Sequence, residues 1–151
     1  DAQVRAGFTA LDASHDRADM TLAVLEGVAY AFRDALGALR GGGTQLHEAD
    51  LLGGGARSER WCQILADVLV LPLHSVTQSD IGCAAGAARL AAIAKLGSGS
   101  GSVAQAIAQV ATRPRRRRTF VPADANVSRH RERYAKWATL YGATQSALSA
   151  S

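Results

Sequence analysis

An α/β fold, with parallel strands and flanking helices, is what this sequence predicts, and three observations carry that reading. Short apolar runs alternate with longer segments of helical periodicity, in the order strand–helix–strand–helix–strand–helix. Crossovers of that length join parallel strands in the right-handed sense. At Leu51-Leu52 an apolar strand end runs straight into Gly53-Gly54-Gly55, and a helix follows at once. Hydrophobic residues make up 48% of the 151 positions, enough for one domain that buries roughly 68–70% of its unfolded surface.

The elements follow in order. Ala2 to Leu11, with Val4, Phe8 and Leu11, suits an entering strand. Ser14 or Asp16 caps a long helix with Asp19 in its first turn. Its apolar residues, from Met20 and Val24 to Phe32 and Leu39, wrap most of the circumference, the mark of a helix buried on several sides. Gly41-Gly42-Gly43 stops it, and Leu46 to Leu52 supplies the next strand. The second helix runs from about Ser58 to Val70 and ends at Pro72, after which Leu73 to Val76 is a short strand. Asp80 to Leu96 is a third helix, rich in Ala and Gly, which lets a neighbour approach closely. Gly97 to Ser102 is a flexible Gly/Ser stretch, Val103 to Ala111 a short helix, and Phe120-Val121-Pro122 extended. A last helix from about Val127 to Leu148 places Tyr134, Trp137, Leu140 and Tyr141 along one docking face. Three strands make a thin sheet, so further strands precede Asp1 or a partner covers its edge.

The glycine run is the most informative segment. A strand, a bend without Cβ atoms and a helix N-terminus let a ligand lie against bare backbone, beside unpaired N–H groups and a partial positive charge. In sheets of this kind ligands gather beyond the carboxyl ends of the strands, where this bend stands. The spacing matches neither G-x-x-x-x-G-K-[ST] nor G-x-G-x-x-G. An anionic or nucleotide ligand is one reading, and a turn that merely packs helix on strand is the other.

Composition narrows the classes. No apolar run reaches the roughly 18 residues of a membrane span, and Asp1-Ala2-Gln3-Val4-Arg5 lacks the pattern of a secretory signal. Cys62 and Cys83 have no C-x-x-C partner and read as reduced thiols, while His15, His47, His74 and His130 are scattered and read as surface or loop residues. Net charge is +4. The sequence pI is about 9.6. Much of the excess sits in Arg113 and Arg115–Arg118 around Pro114. That block reads as a solvated connector, because a nucleic-acid reader pairs such charge with aromatics or a recognition helix.

Three stretches resemble the C-terminal portion of the FGGY family of carbohydrate kinases, xylulokinases above all. Gly7-Phe8-Thr9-Ala10-Leu11, seven residues, then Asp19-Met20-Thr21-Leu22-Ala23-Val24-Leu25-Glu26 is similar to the family's second signature, with Ala10 where a glycine is usual. Gly53-Gly54-Gly55-Ala56-Arg57-Ser58 with Trp61, Gln63, Leu65, Ala66 and Asp67 is similar to the adenosine motif. Asp80-Ile81-Gly82 leading to Gly86-Ala87-Ala88-Arg89-Leu90-Ala91 resembles the small-residue helix that follows it, and Tyr134 with Leu140-Tyr141 resembles the family's tail. The Gly/Ser loop and the arginine block have no counterpart.

The resemblance implies a partial actin-like ATPase domain of ribonuclease-H type. Residues 1–96 would be part of the C-terminal kinase domain with the adenosine loop, 97–119 a flexible connector with a short helix, and 120–151 a docking helix. It implies ATP held at Gly53, Gly54, Gly55, Ala56, Arg57 and Ser58, Mg2+ with ligands outside this segment, and transfer of the γ-phosphate to a sugar hydroxyl. For xylulokinases that sugar is D-xylulose, phosphorylated at its 5-position with an aspartate as general base. The base and the pentulose pocket belong to the preceding part of the family chain, and this chain covers roughly the last third. No catalytic residue or metal ligand is therefore expected here, and the isolated chain is expected to be inactive. A cytoplasmic location, no nucleic-acid or membrane partner, and room for a homodimer complete the expectations. A noncatalytic interaction module derived from a truncated kinase is the alternative.

Overall fold

A computed structural model describes residues 6–77, 82–97 and 102–149. In chain order the elements are α1 (Arg17–Gly41), β1 (Ala49–Leu51), a 3-10 turn (Gly54–Arg57), α2 (Glu59–Leu69), β2 (Leu73–Val76), α3 (Gly82–Gly97), α4 (Val103–Val110), β3 (Arg116–Phe120) and α5 (Asp124–Ser149). The elements divide into two compact units. One holds the described residues of Asp1–His47, Gln63–Leu71 and Val121–Ser151, the other Glu48–Cys62 and the described residues of Pro72–Phe120.

The helical unit begins on a capping box. Asp16 accepts from the N–H groups of Ala18 and Asp19 at 2.7 and 2.9 Å, and the Asp19 carboxylate accepts from the Asp16 N–H at 3.1 Å. Gly42, Gly43 and Thr44 N–H close the other end on the carbonyls of Ala38, Arg40 and Leu39, with Gly43 at φ +88°. Along α1 only Glu26, Ala29, Tyr30 and Leu36 are buried, while Met20, Val24, Val28, Phe32 and Leu39 stay 36–53% exposed. The expectation of burial on several sides is thus corrected. One face meets its neighbours, and the other presents an apolar stripe.

Against the buried face lies α5. Tyr30 packs on Tyr134 and Trp137 with ring centroids 5.8 and 5.7 Å apart. Its hydroxyl is 3.3 Å from His130 Nδ1, and the neighbouring Glu26 carboxylate takes Arg133 on both oxygens at 2.6 and 2.8 Å. Asp67, 2% exposed, accepts from Gln63, the Ala123 N–H and Asn126, each at 2.9 Å. It thereby ties α2 to the start of α5, a structural role. The docking expected of the aromatic stripe holds for Tyr134 and Trp137. Leu140 is 38% exposed, and the Tyr141 side chain lies outside the described residues.

The sheet unit corrects the all-parallel expectation. Strand order is β1-β2-β3; β1 runs parallel to β2 and β3 antiparallel to it. The strand expected over Ala2 to Leu11 is irregular backbone from Ala6 on, its first residues lying outside the described set. The third strand comes instead from the arginine block. Of Phe120-Val121-Pro122, read as extended, Phe120 closes this strand and Val121 and Pro122 lie beyond it. Leu73, Val76 and Phe120 are buried within this unit, each 4% exposed or less. On the small-residue helix, a Cβ at Gly82 would stand 3.3 Å from Leu52. The Gly/Ser stretch over 98–101 and the Asp80-Ile81 pair lie outside the described residues.

Candidate functional site

The glycine bend leaves β1 by a conformation only glycine tolerates. Gly53 has φ +93° and ψ 171°, a region that strains any residue with a Cβ. The next four residues form the 3-10 turn, so α2 starts at Glu59 rather than at Ser58. Ala56 N–H bonds the Gly53 carbonyl at 3.1 Å and Ser58 N–H the Gly55 carbonyl at 3.0 Å. Ser58 then caps α2 as expected. Its hydroxyl accepts from the Trp61 N–H at 3.3 Å, and its carbonyl from the Cys62 N–H at 3.0 Å.

The three glycines answer to different demands. Gly53 is required by its dihedrals. At Gly55 a Cβ would come within 3.1 Å of the Trp61 indole, so packing accounts for it. At Gly54 a Cβ would meet only the Arg57 guanidinium at 3.7 Å, an ordinary contact, and φ is not positive. Among the described residues nothing demands glycine there, although glycine costs about 0.5–1 kcal/mol relative to alanine in a helical turn. Gly54, Gly55, Arg57 and Ser58 are exposed and Ala56 is partly buried. Among the described residues, the N–H groups of Gly54, Gly55, Glu59 and Arg60 have no acceptor. The site is therefore a strip of bare, donor-bearing backbone.

Around this bend stands a polar cluster that sequence reasoning missed. His74, expected at the surface, is buried, with Nδ1 2.9 Å from Thr119 Oγ1 and Nε2 3.1 Å from Glu48 Oε2. Arg116 donates from Nη1 to Glu48 at 3.0 Å and from Nε to Asp50 at 3.0 Å, and its Nη2 meets the other Glu48 oxygen. The Arg116 fork, aided by His74, pulls the Glu48 carboxyl down to about 2. Arg118 pairs with Glu59. The block read as a solvated connector is therefore partly strand, and two of its arginines are paired. His130 is likewise buried, not at the surface. Both cysteines are free; Cys62 is buried, which pushes its thiol up.

Among the described residues no group of three or more His, Cys, Asp or Glu could hold a metal ion, and no helix is long and apolar enough to cross a membrane. A hollow of about 360 Å³ lies in the helical unit between Arg33, Arg40, Val70 and Tyr134, and no residue of the glycine bend lines it.

Comparison with known proteins joins this geometry to a family. Residues 1–95 match the C-terminal domain of the FGGY family of carbohydrate kinases. A xylulose kinase of Escherichia coli K12 is 44% identical over 92 residues, which are 61% of this chain and 19% of that protein. A xylulose kinase of Staphylococcus xylosus is 36% identical over 93 residues. Among solved structures, a xyloylose kinase from Brucella ovis superposes with a TM-score of 0.81 at 38% identity, covering 97% of this chain and 29% of that one. A xylulose kinase from Rhodospirillum rubrum gives 0.72 at 29% identity, covering 95% and 28%. The fold is thus the actin-like ATPase fold, present here as part of a domain, and the chain spans about a fifth of the length of the curated relatives it matches. With its match extending over most of its length, the chain belongs to the FGGY family of carbohydrate kinases and carries that family's C-terminal domain.

Proposed function

We propose that this chain is the adenosine-binding part of a cytoplasmic sugar kinase that passes the ATP γ-phosphate to a pentulose, D-xylulose by the likeness of its relatives. Gly53, Gly54, Gly55 and Ala56 form the bare strip along which the nucleoside lies. Ser58 holds the helix end in place, and Arg57 stands exposed at the edge of the strip. The observation that carries this reading is Gly54. Among the described residues a Cβ there would meet only Arg57, at 3.7 Å, so the space beside its backbone is open to a ligand. In this reading Mg2+ accompanies the phosphates, and its ligands, the sugar pocket and the catalytic base lie in the preceding part of the family chain. Phosphoryl transfer requires all of these, so the chain alone binds nucleotide without turning it over.

Calorimetric titration with ATP tests the strip directly. Gly54→Val should weaken binding about tenfold or more, a loss of ~1.4 kcal/mol, with unfolding stability nearly unchanged because the added Cβ makes only an ordinary contact with the Arg57 side chain. Equal affinity in wild type and variant would sink the reading. Radiolabelled ATP with D-xylulose should give no transfer from the isolated chain. The interaction-module alternative draws on the exposed stripe of α1, and a chain that binds no nucleotide would favour it.

A further inference from the structure

We infer that Arg116, on the strand that lies beyond the family match over residues 1–95, is a positioning residue that aims the glycine bend toward its nucleotide; this rests on the reading above. The strand leading into the bend is weakly held. β1 has three residues, pairs only with β2 and stands at an edge of the sheet among the described residues. A three-residue ladder on one side leaves an edge strand free to fray at its exit.

Arg116 supplies the missing restraint from two strands away. The β3–β2 register shifts between Ser75 and Val76, so that His74 pairs with Thr119, Ser75 with Arg118 and Val76 with Arg116. A bulge of this kind re-aims a side chain. Here Arg116 lands on the same face as His74 and Thr119, where Asp50 of β1 and Glu48 just before that strand meet it. From there the guanidinium reaches across the central strand, a span of about 9–10 Å between outer strands, and takes both carboxylates in one fork. His74 braces Glu48 from beneath at 3.1 Å. The two carboxylates flank Ala49, and Asp50 is three residues before Gly53, so a fork that fixes them fixes the direction of the bend. On the far side of the bend Arg118 meets Glu59 in the first turn of α2. That pair is more exposed, at 56% and 65%, than the Arg116 cluster at 38%, 44% and 28%, so its hold is the weaker.

The test uses this chain labelled with 5-fluorotryptophan, amide hydrogen exchange, and ATP titration. Trp61 touches Gly55 and reports the bend. Trp137 packs on Tyr30 in the helical unit and serves as the internal control. In Arg116→Ala the Trp61 fluorine signal should shift and the Ala56 and Ser58 amides exchange faster. The Trp137 signal and the β2 amides should stay as in wild type. ATP affinity should fall about threefold to tenfold, the scale of one partly exposed charge network. Arg116→Lys keeps the charge without the fork and should recover part of the loss. Arg118→Ala should change affinity by less than about twofold.

An unmoved Trp61 signal with unmoved bend amides in Arg116→Ala would overturn the inference. So would general opening of the β2–β3 ladder, which would make Arg116 a structural strut. Failure of wild type to bind ATP would sink the proposed function alone, because the fluorine and exchange readouts need no nucleotide.

Discussion

Two buried histidines organise the two units of this chain, and they do so in opposite ways. His74 sits in the sheet unit with hydrogen-bonding partners on both ring nitrogens, and its outer ring is made of charges that reach solvent: Glu48, Asp50 and Arg116. His130 sits in the helical unit beneath aromatic rings, with its ring facing Tyr30 and the Glu26 carboxylate 3.9 Å away. An exposed charged ring contributes little to global stability but sets local geometry, since water screens the energy more than it loosens a bidentate fork. A buried aromatic cluster does the reverse. It contributes apolar burial in bulk and holds two helices together. The bend proposed to meet the nucleotide stands beside the first kind of cluster, and the helix pair depends on the second.

The largest expected effect breaks the comparison on the helical side. Tyr30 is 3% exposed and touches His130, Tyr134 and Trp137. Tyr30→Ala should cost about 3–5 kcal/mol, the range for emptying a buried aromatic site, measured as a shift in the urea midpoint. A loss under 1 kcal/mol would mean that the cluster is not the core of that unit.

Acid sharpens the contrast. Burial is the main cause that lowers the His130 pKa from its ordinary 6.5, the Glu26 carboxylate opposing it. The folded state therefore binds fewer protons than the unfolded one. This contribution is full above about pH 6.5 and is lost as pH falls through the lowered folded value. Glu48 is held down from 4.5 to about 2, so its contribution is intact above about 4.5 and is lost only as pH falls toward 2. Amide exchange followed from pH 7 to pH 3 should show the α1 and α5 amides loosening first and the β1 amides later. High salt should blunt the Glu48 step more than the His130 step, because exposed charges are the more screened. The opposite order would refute the assignment of buried and exposed networks.

The smallest effect concerns the backbone. Both units use a positive φ where the chain turns: the sheet unit places Gly53 there, at +93°, and the helical unit places Gly43 at +88° but also two residues that carry a Cβ, Ala10 at +58° and Val70 at +51°. A Cβ in that region costs roughly 1–2 kcal/mol. Ala10 is the position where the resemblance puts a glycine, and its backbone holds a positive φ although it carries a Cβ. Ala10→Gly should raise stability by about 0.5–1 kcal/mol, net of the greater freedom of glycine in the unfolded chain. Thermal unfolding checks this, and no gain would mean that the turn carries no strain.

Much of this protein was legible in local sequence. Asp16, Gly42 and Ser58 mark helix ends that their own hydrogen bonds confirm, because capping is decided within three or four residues; Ser102, read as part of the flexible stretch, also caps a helix. The strand at Leu73–Val76 was read as well, as a short segment between Pro72 and a polar stretch. The glycine bend announced itself through three residues with no Cβ. Strand β3 did not, because a run of arginines reads as solvated until the carboxylates that meet it are known. Glu48 and Asp50 stand 66 to 68 residues away. His74 and His130 misled for the same reason, since nothing in their neighbours along the chain says that Glu48 or Tyr30 will arrive.

Local sequence therefore determined where this chain turns, caps and bares its backbone, because those features depend on dihedral freedom and on hydrogen bonds of short reach. The family resemblance was readable at the same level, in motifs a few residues long. Tertiary structure alone decided the direction of β3, the burial of both histidines and the pairing of Arg116, since each depends on groups brought together from distant parts of the chain. It also separated the three glycines by the dihedral at Gly53 and the space beside Gly54 and Gly55. Space around a missing Cβ exists only once the fold has placed the atoms that would fill it.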